Sequence, residues 1–472
     1  MRQKLISYLW AGIGALATGT MLVLALPLGE QAWLAWFMLV PLLWTTKEKG
    51  FLAGFLGGLG AVFWCAWLSA SGVFYHHKNF EPSNGWTFTA CGLYAFSFAI
   101  FFAVWADRKN HEKPIWWLAA LAVVLESVLL LEIPATLALT QYRNNVLVWL
   151  ASIGGIWLTS FLVWYSNILA TNFKKGIWKR EYLLFLFFCV LSFFHPTPSK
   201  TLEGPSITVG VAQIADGLDK ELLVAHQEAS IEKADFVVWP EFSGMLFVRG
   251  DDTSKLKDAS VGTSPLITSF RDLATPLPHN VAAMYSDGKE SARYEKRKLF
   301  ASESKMHTPG TKAVAVPLLT DNGSVGLNIC FDSCYPNIFR ESAALPNVKV
   351  VALPTIDPDS PHYFVAAVHA AYSPFRCAEN GVAMARADGH FGSMIVNEQG
   401  QIVAELKDEQ KSLTAETSGK RAWTVYRVLG DWFWYLCIAG VILYPILTLA
   451  KGRKVRTTMS ESELKLGGGG GN

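Results

Sequence analysis

The stretch Val325-Gly326-Leu327-Asn328-Ile329-Cys330-Phe331-Asp332 decides how this chain is read. An apolar, β-branched run stops at a cysteine, and a helix is expected shortly afterwards, over 338–345. A thiol at the end of a buried strand, facing a helix N-terminus, is placed to ionise and attack a carbonyl carbon. Two other strand ends carry partners for it. Glu241 closes Phe236-Val237-Val238-Trp239-Pro240-Glu241, and Lys296 closes Arg293-Tyr294-Glu295-Lys296. A carboxylate, an ammonium and a thiol supply a general base, a charge for an oxyanion, and a nucleophile.

At 472 residues the chain has room for two or three ordinary domains. Hydrophobic residues make up 51% and charged residues only 17%, against about 25% charged in an average soluble protein. The apolar excess lies before 194 and again over 432–449, while 206–411 reads as a soluble domain. The net charge is +2 and no basic cluster sits in the middle region, so no nucleic-acid partner is expected. Cys65, Cys91, Cys189 and Cys437 fall inside apolar runs and read as packing residues, and Cys377 as structural. Cys330 and Cys334 have CxxxC spacing without a second Cys or His pair nearby, so no metal is expected.

Crossing about 30 Å of hydrocarbon takes about 20 apolar residues. Spans are expected at 5–26, 31–45, 51–73, 86–105, 115–133, 146–169 and 182–194, with one more at 432–449. Basic residues alternate along the loops. Arg2 and Lys4 precede the first span, and Lys47 and Lys49 follow the second. Arg108, Lys109 and Lys113 follow the fourth, Lys174, Lys175, Lys179 and Arg180 the sixth, and Lys451, Arg453, Lys454 and Arg456 the last. The other loops hold only Lys78 and Arg143. The positive-inside rule then puts both termini in the cytoplasm and the middle domain outside it. Glu126 lies at membrane depth, either as a substrate-facing group or as a pin between helices. His76 and His77, adjacent in an outer loop, read as solvated.

In the middle region strands are expected at 207–213, 236–239, 281–285, 325–329, 348–353, 382–386 and 393–396. Helices are expected at 219–231, 265–274, 338–345 and 364–379. The alternation predicts a layered α/β domain. Asn397-Glu398-Gln399-Gly400-Gln401 reads as a hairpin turn. The domains are 1–200, an N-terminal membrane domain of about seven helices, 201–420, a catalytic domain, 421–456, a C-terminal membrane helix, and 457–472, a flexible tail.

Glu, Lys and Cys in this order, each at a strand end, resemble the nitrilase, or carbon–nitrogen hydrolase, superfamily. Nearly the whole chain resembles its membrane branch, the bacterial apolipoprotein N-acyltransferase family. The soluble part carries Trp239-Pro240-Glu241, Tyr294-Glu295-Lys296, Cys330-Phe331-Asp332 and Arg376-Cys377-Ala378-Glu379-Asn380-Gly381. The membrane part carries Leu24-Ala25-Leu26-Pro27, Trp33-Leu34-Ala35-Trp36, Val40-Pro41-Leu42-Leu43-Trp44 and Gly154-Gly155-Ile156-Trp157, with Glu126 where the family has a glutamate. Tyr426-Arg427-Val428-Leu429-Gly430-Asp431-Trp432 resembles the junction into the last span. Two features depart from the family pattern. Its Pro-Phe-Gly-Glu loop is replaced by Lys298-Leu299-Phe300-Ala301-Ser302-Glu303-Ser304, and its glutamate two residues after the nucleophile is Asp332.

The resemblance implies a multi-span helical membrane domain of about eight helices with an extracytoplasmic α-β-β-α sandwich in the bacterial inner membrane. It implies transfer of a phospholipid acyl chain through a Cys330 thioester to the α-amino group of a lipoprotein's diacylglyceryl cysteine. Glu241 is the expected base and Lys296 the oxyanion charge, helped by a backbone N–H near Phe331. Asp332 either supports the lysine, positions substrate or caps the next helix. Glu303 is either the loop glutamate's substitute or a surface acid. Glu379, with Arg376, fixes the fold or the lysine loop. No cofactor is expected. The partners are the membrane, a phospholipid donor and a lipoprotein N-terminal cysteine, with the enzyme a monomer. A membrane-anchored amidase, with water attacking the thioester, and an acyltransferase using a different amine are the alternatives.

Overall fold

Strand-forming residues and burial coincide in the middle of the chain. The computed structural model describes residues 2–71, 85–107, 109, 113–128, 135–172, 190, 205–214, 219–246, 248, 252–273, 277–300, 302–318, 323–358, 363–406 and 411–467. Two six-stranded sheets form among them. The first has the order β12-β1-β2-β3-β4-β5, with β1 (Ser206–Ala212), β2 (Phe236–Val238), β3 (Leu266–Asp272), β4 (His279–Ser286), β5 (Lys289–Glu295) and β12 (Ser412–Ser418). The second has the order β11-β10-β9-β8-β7-β6, with β6 (Val314–Pro317), β7 (Ser324–Leu327), β8 (Val348–Thr355), β9 (Ala383–Asp388), β10 (Met394–Val396) and β11 (Ile402–Glu405).

The central strands of both sheets are parallel. Parallel strands need both faces covered, and alternate residues do this here. Ile207, Val209, Phe236 and Val238 of the first sheet share one apolar cluster with Val325, Leu327, Val350 and Ala352 of the second. The intervening residues face outwards. Val237, Leu266 and Phe270 meet Leu222, Ala225 and Ala229 of the helix Asp219–Ile231. Val348, Val351 and Leu353 meet Phe339 and Ala343 of the helix Pro336–Ala344. The result is an α-β-β-α sandwich.

Several expectations change. The segment read as a helix over 265–274 is β3, whose Leu266 and Ile267 pair with β2 on one side and with β4 on the other. A short apolar run has no decisive period, and here its neighbours choose the strand. The single helix expected at 364–379 is two, Tyr363–Ala370 and Tyr372–Asn380. Pro374 has no N–H to return to residue 370, so the ladder stops there. The strands β5, β6 and β12 have no counterpart among the expected elements. The last helix, Trp432–Gly467, runs beyond the expected end at 456 into the part read as a flexible tail. Met459, Glu461, Glu463, Leu464, Lys465 and Leu466 of that extension are strong helix formers.

Among the described residues, three helices are long and apolar enough to cross a membrane: Leu5–Ala25, Phe51–Ser69 and Trp432–Ala450. Shorter apolar helices cover Ala32–Thr46, Tyr94–Ala106 and Ile115–Ser127. The span expected at 146–169 is broken into Asn145–Gly154 and Ile156–Thr171, bent by 118°. The break is Gly155, at φ +71° and ψ −179°, a conformation essentially reserved for glycine. The span expected at 31–45 is a 3₁₀ turn, Ala32–Trp36, followed by the helix Val40–Thr46. The span expected at 182–194, apart from residue 190, and His76 and His77 lie outside the described residues.

The two parts are stitched together at the break. The Ile156 amide donates to Glu379 Oε1 at 2.8 Å, while within the helical part Trp432 Nε1 donates to the Ile153 carbonyl at 2.7 Å.

Candidate active site

Glu241 stands where the first sheet ends against the second. Pro240 terminates β2, and the Glu241 amide then donates to the Thr355 carbonyl at the end of β8, at 3.1 Å. Its side chain is buried and fully engaged. Oε1 accepts from Asn280 Nδ2 at 2.6 Å and from Lys296 Nζ at 3.0 Å, and Oε2 accepts from the Ile356 amide at 3.2 Å.

Lys296 follows β5, anchored by its amide on the Asn280 carbonyl at 2.8 Å. Its ammonium bridges two carboxylates, Glu241 and Glu303, the latter at 2.8 Å. Burial works against the ammonium, but the negative charges of Glu241 and Glu303 outweigh it. The pKa is therefore raised and Lys296 stays charged. Glu303 also accepts from the Phe300 amide at 2.9 Å, which folds the loop back onto the lysine. Of the two readings of Glu303, the structure shows the one at the lysine.

Cys330 opens the 3₁₀ turn Cys330–Cys334, three residues past β7. Its φ is +47°, a left-handed value that side chains adopt rarely and that clusters at functional sites. The Ser333 hydroxyl donates to the Cys330 carbonyl at 2.9 Å and helps hold the turn. The thiol is 1% exposed. Burial pushes it well above the ordinary thiol range, Glu241 adds to the rise, and Lys296 opposes it. The sequence places this thiol to ionise. The structure keeps it protonated at rest, because desolvation exceeds what the nearby cation returns.

Asp332 links the lysine loop to the Cys330 turn. Oδ1 accepts from the amides of Arg297 and Lys298 at 3.2 and 2.7 Å, and Oδ2 accepts from the Tyr294 hydroxyl at 2.7 Å and the Ile329 amide at 3.1 Å. Burial raises its pKa to about 6, against these donors. It does not cap the helix Pro336–Ala344, whose N-cap is Tyr335 without a side-chain bond. Phe331 stacks on Phe300 with ring centroids 4.0 Å apart.

Two predicted residues lie outside this cluster. Glu379 pairs with Arg376 and accepts from the Ile156 amide, while Arg376 Nε donates to the Ser333 carbonyl at 2.8 Å. Glu379 thus reaches the Cys330 turn only through Arg376, and joins that turn to the broken apolar helix. Burial lifts its pKa to about 7, opposed by Arg376. Glu126 accepts from the Tyr94 hydroxyl at 3.0 Å, the Leu137 amide at 2.6 Å and the Ser160 hydroxyl. These bonds pin three segments of the helical part to the helix Ile115–Val128 that carries Glu126.

A second polar group beside Cys330 is absent from the sequence reading. Asp357, just past β8, accepts from His369 Nδ1 at 2.8 Å and from Arg386 of β9. Arg386 also pairs with Asp388 at 2.9 Å. The signal was present, since Asp357 and Asp388 are polar residues at strand ends, as Glu241 and Lys296 are. Cys330, Asp357 and His369 each bring a potential donor atom within 4.8 Å of the others. Both ring nitrogens and the carboxylate are already committed to hydrogen bonds or ion pairs, so the group reads as an ion-paired cluster, not a metal centre.

A cavity of about 220 Å³ lies at the seam between the two parts. Trp157 and Trp434 line it from the helical side, and Cys334, Tyr335, Tyr372 and Arg376 from the sandwich. Cys334 closes the turn that Cys330 opens, and Tyr335 follows it.

Two family descriptions match the chain. Residues 18–169 match the apolipoprotein N-acyltransferase N-terminal domain, and residues 209–421 match the carbon–nitrogen hydrolase domain. An apolipoprotein N-acyltransferase of Geobacter metallireducens is 24% identical over 503 residues, covering 93% of this chain and 95% of its own length. One from Nostoc sp. is 24% identical over 480 residues, covering 85% and 92%. Among solved structures, an amidase from Nesterenkonia sp. is 21% identical, with a TM-score of 0.40, covering 48% of this chain and 95% of its own.

Proposed function

The chain belongs to the apolipoprotein N-acyltransferase family of the nitrilase superfamily, and from that premise we propose that it moves a phospholipid acyl chain, through a Cys330 thioester, to the α-amino group of a lipoprotein's diacylglyceryl cysteine. The observation that carries this reading is the buried Glu241–Lys296–Glu303 charge cluster beside Cys330, set next to a seam with apolar helices.

The thiol is protonated at rest, so its attack needs a base at the moment of bond formation. Glu241 takes the proton as the sulphur bonds to the ester carbonyl carbon. The charge that develops on the carbonyl oxygen is stabilised by the Lys296 ammonium, already charged and already desolvated. Collapse breaks the ester C–O bond, and Glu241 returns the proton to the departing lysophospholipid oxygen. The amine then attacks the thioester, its proton passes by way of Glu241 to the leaving Cys330 sulphur, and an amide results. Asp332 holds the lysine loop against the nucleophile turn throughout.

Leaving the bilayer costs an acyl chain about 0.8 kcal/mol per CH₂. A transfer site therefore belongs at a membrane surface. The aromatic-lined cavity at the seam, adjoining the nucleophile turn, suits an acyl donor better than a closed polar pocket would. In this reading the apolar segments make eight spans, the termini are cytoplasmic, and the sandwich is extracytoplasmic, as the basic loops direct.

The test is intact-mass spectrometry of the full-length protein incubated with a defined phospholipid, alongside Cys330→Ala. The expected result is a hydroxylamine-labile gain of one acyl chain in the wild type and none in the variant. No adduct, in protein whose Cys330 still reacts with a thiol reagent, would sink the acyltransferase reading in favour of a membrane-bound amidase.

A further inference from the structure

We propose that His369 is a positioning residue for Cys330: held as an imidazolium between Asp357 and the Cys330 carbonyl, it locks the nucleophile's left-handed turn and sets a compensating positive charge beside the sulphur. The inference rests on the reading of Cys330 as nucleophile.

The protonation state follows from the partners. His369 Nδ1 faces both oxygens of Asp357, at 2.8 and 2.9 Å. His369 Nε2 faces the Cys330 carbonyl at 3.1 Å and the Ser333 oxygen at 3.0 Å. A carboxylate and a carbonyl only accept, and the Ser333 hydroxyl already donates to that same carbonyl. Both ring nitrogens must therefore carry hydrogen. Arg386 on the far side of Asp357 keeps the carboxylate ionised, and His369 sits in the last turn of Tyr363–Ala370, where a cation suits the helix C-terminus. Burial opposes the charge, but Asp357 prevails, and the ring's pKa rises to about 10.

Two consequences reach Cys330. A non-glycine residue at positive φ persists only where its surroundings over-determine it. Here the carbonyl of that residue receives two donors, from Ser333 and His369, both buried. The second consequence is electrostatic. Glu241, Asp357 and Glu303 push the thiol pKa up, while Lys296 pulls it down and Arg386 attracts the thiolate. Arg386 is shared between Asp357 and Asp388, so without a further cation this group would carry a net negative charge close to the sulphur. The imidazolium bonded to Asp357, within 4.8 Å of the same sulphur, cancels that charge. The two sides of the nucleophile are then alike, each a cation clamped by carboxylate: Lys296 by Glu241 and Glu303, and His369 by Asp357.

The experiment measures the rate of Cys330 alkylation by iodoacetamide against pH, using full-length protein and locating the label by peptide mass. Wild type is compared with His369→Gln, which removes the charge, and with His369→Lys, which keeps one. Opposite charges at this range move a pKa by about one unit or more. The expected result is an alkaline shift of about one pH unit in His369→Gln, so about tenfold slower labelling below the midpoint, with the wild-type midpoint regained in His369→Lys. A parallel loss of rate with an unmoved midpoint would show a merely structural histidine and overturn the proposal. If the Gln variant does not hold its fold, the Lys variant decides: a wild-type midpoint supports the charge, and an alkaline midpoint overturns it. Wild-type Cys330 that takes up neither label nor acyl group would instead remove the nucleophile reading, and this proposal with it.

Discussion

Glu126 among the apolar helices and Glu241 at the sheet ends are both nearly fully buried, at 4% and 2% exposure, yet their surroundings differ in kind. Glu126 meets neutral donors: the Tyr94 and Ser160 hydroxyls and the Leu137 amide. Glu241 meets a cation, Lys296, in addition to Asn280 and the Ile356 amide. Neutral donors satisfy a carboxyl's lone pairs and fix the segments that supply them. A cation clamped between Glu241 and Glu303 is a preorganised charge that a developing oxyanion can use. Burial is common to both glutamates, and the partners separate a pin from the proposed reaction centre. Of the two readings the sequence left for Glu126, the geometry favours the pin.

The strongest way to break this contrast is Lys296→Met, which keeps volume and removes the cation. Breaking a buried ion pair costs about 3–5 kcal/mol, and losing the oxyanion charge costs about 100-fold or more in rate. We expect a lower unfolding midpoint and a collapse of acyl-enzyme formation by intact mass. Acylation near the wild-type rate would remove Lys296 from the chemistry. Glu126→Leu should behave oppositely. It strands three donors at about 1–3 kcal/mol each, so thermal stability falls while acylation per folded molecule is kept. A rate loss matching that of Glu241→Gln would make Glu126 part of the reaction.

Asp332 gives a pH signature. Its folded pKa of about 6 lies above the unfolded value of 3.8. The folded state therefore binds the proton more tightly. That stabilisation is complete below about pH 4 and is lost as pH rises through about 6. The loss amounts to about 3 kcal/mol. The wild-type unfolding midpoint should thus fall, between pH 4 and 7, by more than that of Asp332→Asn; equal slopes would show that Asp332 does not titrate in this way. The smallest expected effect is at the bend. In Gly155→Ala the new Cβ would meet Tyr426 Cε2 at 2.5 Å, in a backbone conformation foreign to alanine. A cost of about 1–3 kcal/mol should appear in thermal unfolding. An unchanged midpoint would mean that the break in the helix is not set by this residue.

Much of the site was legible because strand ends are easy to find. Glu241 and Cys330 each follow an apolar run, Lys296 follows the mostly polar Lys289–Glu295 and stood out only within Tyr294-Glu295-Lys296, and the residues around them brought Glu303 and Asp332 along. His369 was not legible. It lies inside an apolar helix, and its partners are 12 and 39 residues away, at Asp357 and at a backbone carbonyl. No local pattern marks a histidine whose role depends on what two other elements present to it. The strand β3 was misread for a related reason. Its residues suit either structure, and pairing with β2 and β4 decides between them.

By itself the sequence determined the division into apolar and soluble parts, the layered α/β alternation and the order of the three strand-end residues. These follow from composition and from the two-residue and 3.6-residue periods, which act locally. The tertiary structure alone decided which carboxylates clamp Lys296, that desolvation keeps Cys330 protonated, and that the helix breaks by 118° at Gly155 to meet Glu379. Each of these depends on distances between residues far apart in the chain, and electrostatics and packing are set by distance in space.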